Sequence, residues 1–136
     1  MRIKYLEDIE PLEVHGDWID LRCAEEVELK RGDFCMIRLG VAMEIPKGYE
    51  AIIAPRSSTF KKYHILQTNS IGVVDNAYCG DNDEWKMPVL AVENTTIPKN
   101  ARICQFRLLK NQDKVNLEVV DSLGNIDRGG FGSTGV

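Results

Sequence analysis

Asp75 stands in "GVVDNAYCGD" (72–81), directly after two valines and three residues before Tyr78. An acid ending a strand-like run is either an Asx turn closing a hairpin or a general base held at a pocket rim. A second group lies in "PRSS" (55–58), where the Arg56 guanidinium adjoins the Ser57 and Ser58 hydroxyls at an expected helix start. Free backbone N–H groups and the helix dipole favour an anion there, and a capped turn with a surface arginine is the plainer alternative. Gln105 in "RICQF" (102–106) shares a strand face with Arg107 and opposes Cys104 and Phe106, so its amide serves either a site or a solvated face. Asp17 and Asp20 in "GDWIDL" are candidates to orient metal-bound water, or are turn and strand-edge acids. The end, "DRGGFGSTGV" (127–136), offers Arg128, Phe131, Ser133 and Thr134 among glycines whose backbone can wrap phosphate oxygens. Composition alone reads the same segment as a disordered tail.

These groups need a rigid frame, and the period of the sequence supplies one. From Cys35 to Ile45 the odd positions are all apolar, with Arg38, Gly40 and Glu44 on the even ones, which predicts a half-buried strand. Val115, Leu117 and Val119 repeat the alternation, with Asn116 and Glu118 turned the other way. "YEAIIA" (49–54) and "MPVLAV" (87–92) read as strands buried on both faces. Turn signals separate them: "KRGD" (30–33), "PKG" (46–48), "GDND" (80–83) and "IPKN" (97–100). Many short strands at this spacing predict an all-β antiparallel sandwich or jelly roll. The one helical stretch is "SSTFKKYH", capped by Ser57 or Ser58. Val41, Ile53, Val89, Leu90, Val92, Ile103 and Phe106 are the expected core.

Composition narrows the classes. With 43% apolar and 28% charged residues, the chain reads as one ordinary globular domain. A net charge of −4 speaks against nucleic-acid binding, although a few local arginines still suit a small anion. No apolar run reaches the roughly 18 residues of a membrane span. The acidic start lacks a signal peptide's apolar region, so a cytoplasmic location is expected. Cys23, Cys35, Cys79 and Cys104 form no CxxC pair and only two histidines are present, so zinc has little support and four reduced thiols, mostly packed, are expected.

Taken in order, "DL" (20–21), "PRSS" (55–58), "GVVDNAYCGD" (72–81), "ARICQ" (101–105) and "RGGFGSTG" (128–135) resemble the five motifs of the trimeric dUTP diphosphatases, the dUTPases. The Gram-positive and phage members are especially similar through "GDWIDL" and "GDND-W". The resemblance covers nearly the whole chain. It implies a β domain over 1–123 and a flexible tail over 124–136 that closes the site. It implies hydrolysis of dUTP to dUMP and pyrophosphate with Mg2+, in a homotrimer with shared active sites. By the same resemblance Asp75 activates the water that attacks the α-phosphorus, and Tyr78 packs under the deoxyribose, leaving no room for a 2′-hydroxyl. Asn69 and the hairpin backbone of Gly72, Val73 and Val74 recognise uracil. Arg56, Ser57 and Ser58 bind phosphate from a neighbouring subunit, and Gln105 lies near the α-phosphate. Asp20 reaches magnesium through water. Phe131 stacks on uracil, with Gly132, Ser133 and Thr134 around the γ-phosphate.

Two positions depart from the family pattern. The fifth motif usually has five residues from arginine to phenylalanine, whereas Arg128 precedes Phe131 by three. The fourth motif usually opens with glycine, and Asn100 here is expected to take the left-handed conformation instead. The rival activity, dCTP deamination on a similar fold, needs a glutamate in the strand after the third motif, near Ala91, with Glu93 two places off. A regulatory member of the family that captures a protein partner is the other alternative, and the absence of an insert between motifs argues against it.

Overall fold

The computed structural model describes residues 1–132 and Gly135. Its strands are β1 (Arg2–Tyr5), β2 (Ile19–Arg22), β3 (Val27–Leu29), β4 (Phe34–Arg38), β5 (Val41–Glu44) and β6 (Tyr49–Pro55), then β7 (Ile65–Gln67), β8 (Gly72–Val74), β9 (Lys86–Ala91), β10 (Thr95–Ile97) and β11 (Arg102–Lys110). The helix α1 (Thr59–Tyr63) joins β6 to β7. Every pairing is antiparallel. The larger sheets run β2-β11-β6-β8 and β4-β9-β7, and β1-β5 and β10-β3 form two-stranded sheets.

The core fills the space between the two larger sheets. Trp85, just ahead of β9, meets Phe106 of β11 edge to face at 5.1 Å, and both are almost fully buried. Such a pair contributes about 0.5 to 1.5 kcal/mol beyond the area it buries. A bulge in β11 between Arg102 and Cys104 turns both Ile103 and Cys104 inward, which strict alternation would forbid. The chain then returns to register, so Phe106 faces the core and Gln105 the other side.

The all-β architecture agrees with the reading of the sequence, and four local expectations are corrected. The pattern from Cys35 to Ile45 is split into β4 and β5 by Gly40, whose φ is +69°. A Cβ there would meet the Ala24 Cβ at 3.2 Å, so the bend belongs to glycine. The odd positions from Ile37 to Ile45 are nevertheless buried throughout. Neither 49–54 nor 87–92 is buried on both faces: in the first only Ala51 and Ile53 are buried, and in the second Met87, Val89 and Ala91 point inward, Leu90 is 38% exposed and Val92 is half-buried. Residues 115–119 form no strand, and Leu117 and Val119 are more than 90% exposed, because no strand among the described residues lies beside that segment. Of the four thiols only Cys23 and Cys104 are buried, Cys35 is half-buried and Cys79 is exposed. Burial pushes the Cys23 thiol up to about 11, and that of Cys104 higher still. Asn100 does adopt the left-handed conformation, at φ +70°.

Candidate active site

Asp75 is exposed immediately after β8. Its Oδ1 accepts the Ala77 N–H at 2.6 Å, and its carbonyl accepts the Tyr78 N–H at 3.0 Å. This is the Asx turn that position alone suggested. The same bond fixes the carboxylate rotamer and leaves Oδ2 for another partner, so turn former and potential base are one residue. Next in sequence, the Asn76 amide donates to the carbonyls of Ile45 (2.7 Å) and Pro46 (3.0 Å), pinning the turn to the β5–β6 connection.

A cavity of about 350 Å³ opens beside this turn. That is the low end of the roughly 300 to 1,000 Å³ typical of small-molecule sites. Asn69, Gly72, Val73, Val74, Asp75 and Tyr78 all line it, with Ile53, Trp85 and Pro88 supplying apolar surface. β8 is the last strand of its sheet and pairs only with β6, so one edge of its backbone is available to a ligand. Gly72 lets β8 lie this close to β6: a Cβ there would lie 3.0 Å from the Cβ of its register partner Ile53. Asn69 is held by a tight turn in which Gln67 Nε2 donates to the carbonyls of Ile53 (3.0 Å) and Ser70 (3.4 Å). Tyr78 is partly exposed to the cavity, and its hydroxyl donates to the Glu84 carbonyl at 2.9 Å. Burial raises its phenol above the ordinary range, with Asp83 and Glu84 adding to the effect.

A second cluster forms elsewhere on the same sheet. Gln105 aligns with Asp20 on β2 and with Ala54 on β6, all half-buried and on the face opposite Ile53 and Phe106. Its amide donates to the Pro55 carbonyl at 3.2 Å. Arg56 pairs with Asp20 (Nε to Oδ1, 3.0 Å) and donates to the Arg102 carbonyl, while Arg102 reaches Asp20 Oδ2 at 3.4 Å. Asp17 stands apart, 4.0 Å from Arg107. Ser58 is the helix N-cap without a side-chain capping bond. The next residue anchors the helix start to the sheet instead: the buried Thr59 hydroxyl accepts the Arg56 N–H at 2.9 Å and donates to the Ile103 carbonyl at 2.8 Å. Ser58 is thus the N-cap by position, as expected, although its hydroxyl makes no capping bond.

None of Asp20, Arg56, Ser57, Ser58 or Gln105 is among the residues lining the cavity. Arg128, Phe131 and Gly132 lie exposed beyond β11 and do not line it either, and Ser133 and Thr134 fall outside the described residues. Within one chain the cavity and the Asp20–Arg56–Gln105 cluster are therefore separate. No cluster of three or more His, Cys, Asp or Glu suited to a metal occurs among the described residues. Ala91, where a deaminase would carry its glutamate, is buried in β9, and Glu93 is exposed past the strand end. Sequence reasoning overlooked Thr59, Asn76, Gln67 and Glu84, because their partners lie 14 to 46 residues away or, for Thr59, on β11.

A family model described as dUTPase matches residues 18–135. The SPbeta prophage-derived deoxyuridine 5′-triphosphate nucleotidohydrolase of Bacillus subtilis is 54% identical over 139 residues, covering 99% of this chain and 97% of its own. A Staphylococcus bacteriophage 80alpha dUTPase variant with dUpNHpp superposes with a TM-score of 0.79 at 20% identity, covering 99% of this chain and 98% of that one. A variant dUTPase from phage phi11 of S. aureus, which coordinates a structural Mg(II) ion, does so at 0.76 and 17% identity, covering 90% and 97%.

Proposed function

Because the chain belongs to the dUTPase family and is a dUTP diphosphatase, we propose how its residues share the conversion of dUTP to dUMP and pyrophosphate. The cavity beside β8 takes the nucleoside. Uracil presents an acceptor, a donor and an acceptor along one edge, and the backbone edge of Gly72, Val73 and Val74 with the Asn69 amide supplies complementary groups. The Tyr78 ring lies under the deoxyribose and excludes a 2′-hydroxyl. Asp75 is the general base: its Oδ2 takes a proton from the water that attacks the α-phosphorus, while Oδ1 stays anchored on Ala77. The observation that carries this reading is a carboxylate fixed by its own turn at the rim of a cavity walled by a tyrosine.

Arg56, Ser57, Ser58 and Gln105 bind the phosphates. They lie on a different face from the cavity, and this supports a homotrimer in which one subunit's phosphate cluster completes a neighbour's nucleoside site. The outer surface of β4-β9-β7 supports association as well. Phe34, Leu90 and Leu66 align across its three strands in a partly exposed apolar row. Arg128, Phe131, Gly132, Ser133 and Thr134, in the segment 124–136, close over the nucleotide, with Phe131 stacking on the base.

The donor set fits Mg2+ arriving with the triphosphate. Magnesium favours oxygen ligands, keeps several waters and commonly uses one or two carboxylates plus substrate phosphates. Asp20 is a single carboxylate already compensated by Arg56 and Arg102, suited to accept from metal-bound water. The ion would neutralise phosphate charge and align the chain for in-line attack. The substrate is a free nucleotide, and the enzyme works in the cytoplasm. Pyrophosphate release from dUTP, with dTTP, dCTP and UTP as controls, tests the reading. Equal turnover of dCTP or UTP would overturn it.

A further inference from the structure

We propose that Arg38 and Glu84 form a positioning brace that sets sugar selectivity through Tyr78; the inference rests on the reading of Tyr78 as the floor under the deoxyribose. The Tyr78 ring is tethered at both ends. Its backbone N–H is held by Asp75, and its hydroxyl donates to the Glu84 carbonyl at 2.9 Å. The position of that carbonyl is fixed in turn by the Glu84 side chain. Its carboxylate accepts from Arg38 Nε at 3.0 Å and from the Gly40 N–H at 3.1 Å. Arg38 is braced from behind by Glu7 at 2.7 Å, with Glu25 at 3.8 Å. Glu84 is the most enclosed partner, its side chain 11% exposed. The next residue, Trp85, exchanges backbone bonds with Leu39 and Val41 on either side of the Gly40 bend.

A fork-shaped guanidinium bound to two acids is far stiffer than a single contact. Exclusion of one hydroxyl by clash demands that stiffness, because a ring able to retreat by about 1 Å no longer excludes it. Glu84 itself borders the cavity whereas Arg38 does not, so Arg38→Gln is the variant whose effect must reach the sugar through Glu84 and Tyr78.

The test compares kcat/KM for dUTP and UTP in Arg38→Gln, Glu84→Gln, Tyr78→Phe and Arg38→Gln/Tyr78→Phe, with Tyr78→Ala and thermal melting as controls. Glu84→Gln keeps shape and backbone carbonyl and serves if Arg38→Gln folds poorly. Arg38→Gln and Glu84→Gln are each expected to narrow the dUTP/UTP ratio by about 3- to 30-fold, mainly through improved UTP binding. The double variant should narrow it no further than the larger single effect, because both changes release the same ring tip. Arg38→Lys, keeping one charge-assisted bond, should recover part of the ratio. A lowered melting temperature with an unchanged ratio in Glu84→Gln would overturn the brace and leave a structural ion pair. An unchanged ratio in Tyr78→Ala would instead overturn the reading of Tyr78 itself.

Discussion

Replacing Thr59 by valine removes one oxygen at nearly constant volume. The hydroxyl is 1% exposed and engages both the Arg56 N–H at 2.9 Å and the Ile103 carbonyl at 2.8 Å. Losing two bonds costs about 1 to 3 kcal/mol, and two polar groups left without partners in a part-buried setting raise that toward about 2 to 4. At roughly 3 to 5 °C for each kcal/mol in a chain of this size, the melting temperature should fall by about 6 to 20 °C. Thr59→Ser keeps the hydroxyl, loses one methyl and should cost only about 1 kcal/mol. Both variants are compared with the parent by urea unfolding at one fixed protein concentration, since association couples to stability. The second readout is functional. Arg56 is tied to Thr59 through its own N–H, so Thr59→Val should raise the KM for dUTP in enzyme that remains folded, whereas Thr59→Ser should not. A Thr59→Val protein within about 0.5 kcal/mol of the parent would refute the anchoring role of the Thr59 hydroxyl.

Asp75→Asn should lower kcat by about 10² to 10⁴-fold while dUTP still binds, because the amide can accept from Ala77 but cannot take a proton; near-full turnover would leave Asp75 a turn residue only. Gly72→Ala should raise KM and lower stability, since the new Cβ meets the Ile53 Cβ at 3.0 Å and pushes β8 from β6; isothermal titration with dUMP reads this directly. Removal of residues 124–136 should leave a folded protein that binds dUMP yet hydrolyses dUTP very slowly, as steady-state pyrophosphate release will reveal. Native thiol titration at pH 8 should spare Cys23 and Cys104. Burial holds both thiols protonated there, and their labelling should appear only on unfolding.

Strand identity was legible where one face is buried, because alternation records burial directly: Ile37, Leu39, Val41, Met43 and Phe106 all fall inward as read. It failed where burial depends on something beyond the segment. Val115 to Val119 carry a strand's pattern but have no partner strand among the described residues, and a pattern cannot supply one. Leu90 is apolar without being core because it stands on the outer face of β9, beside Phe34 and Leu66. Turns, by contrast, are local, and Asp33, Asp83 and Asn100 behave as their residue types dictate.

The sequence by itself determined the antiparallel β class, the turn chemistry and, through ordered motifs, the family and the residues proposed for its active site. Only the tertiary structure decided how those residues are distributed. It set Asp75, Tyr78 and Asn69 around one cavity, and it set Arg56, Gln105 and Asp20 on another face with Asp20 already paired. It also decided which groups hold them. Glu84 meets Arg38 across 46 positions, and Thr59 meets Ile103 across 44. The physical reason is range: side-chain type and backbone preference act over a few residues, whereas the partners that fix a functional group are chosen by how the sheets pack.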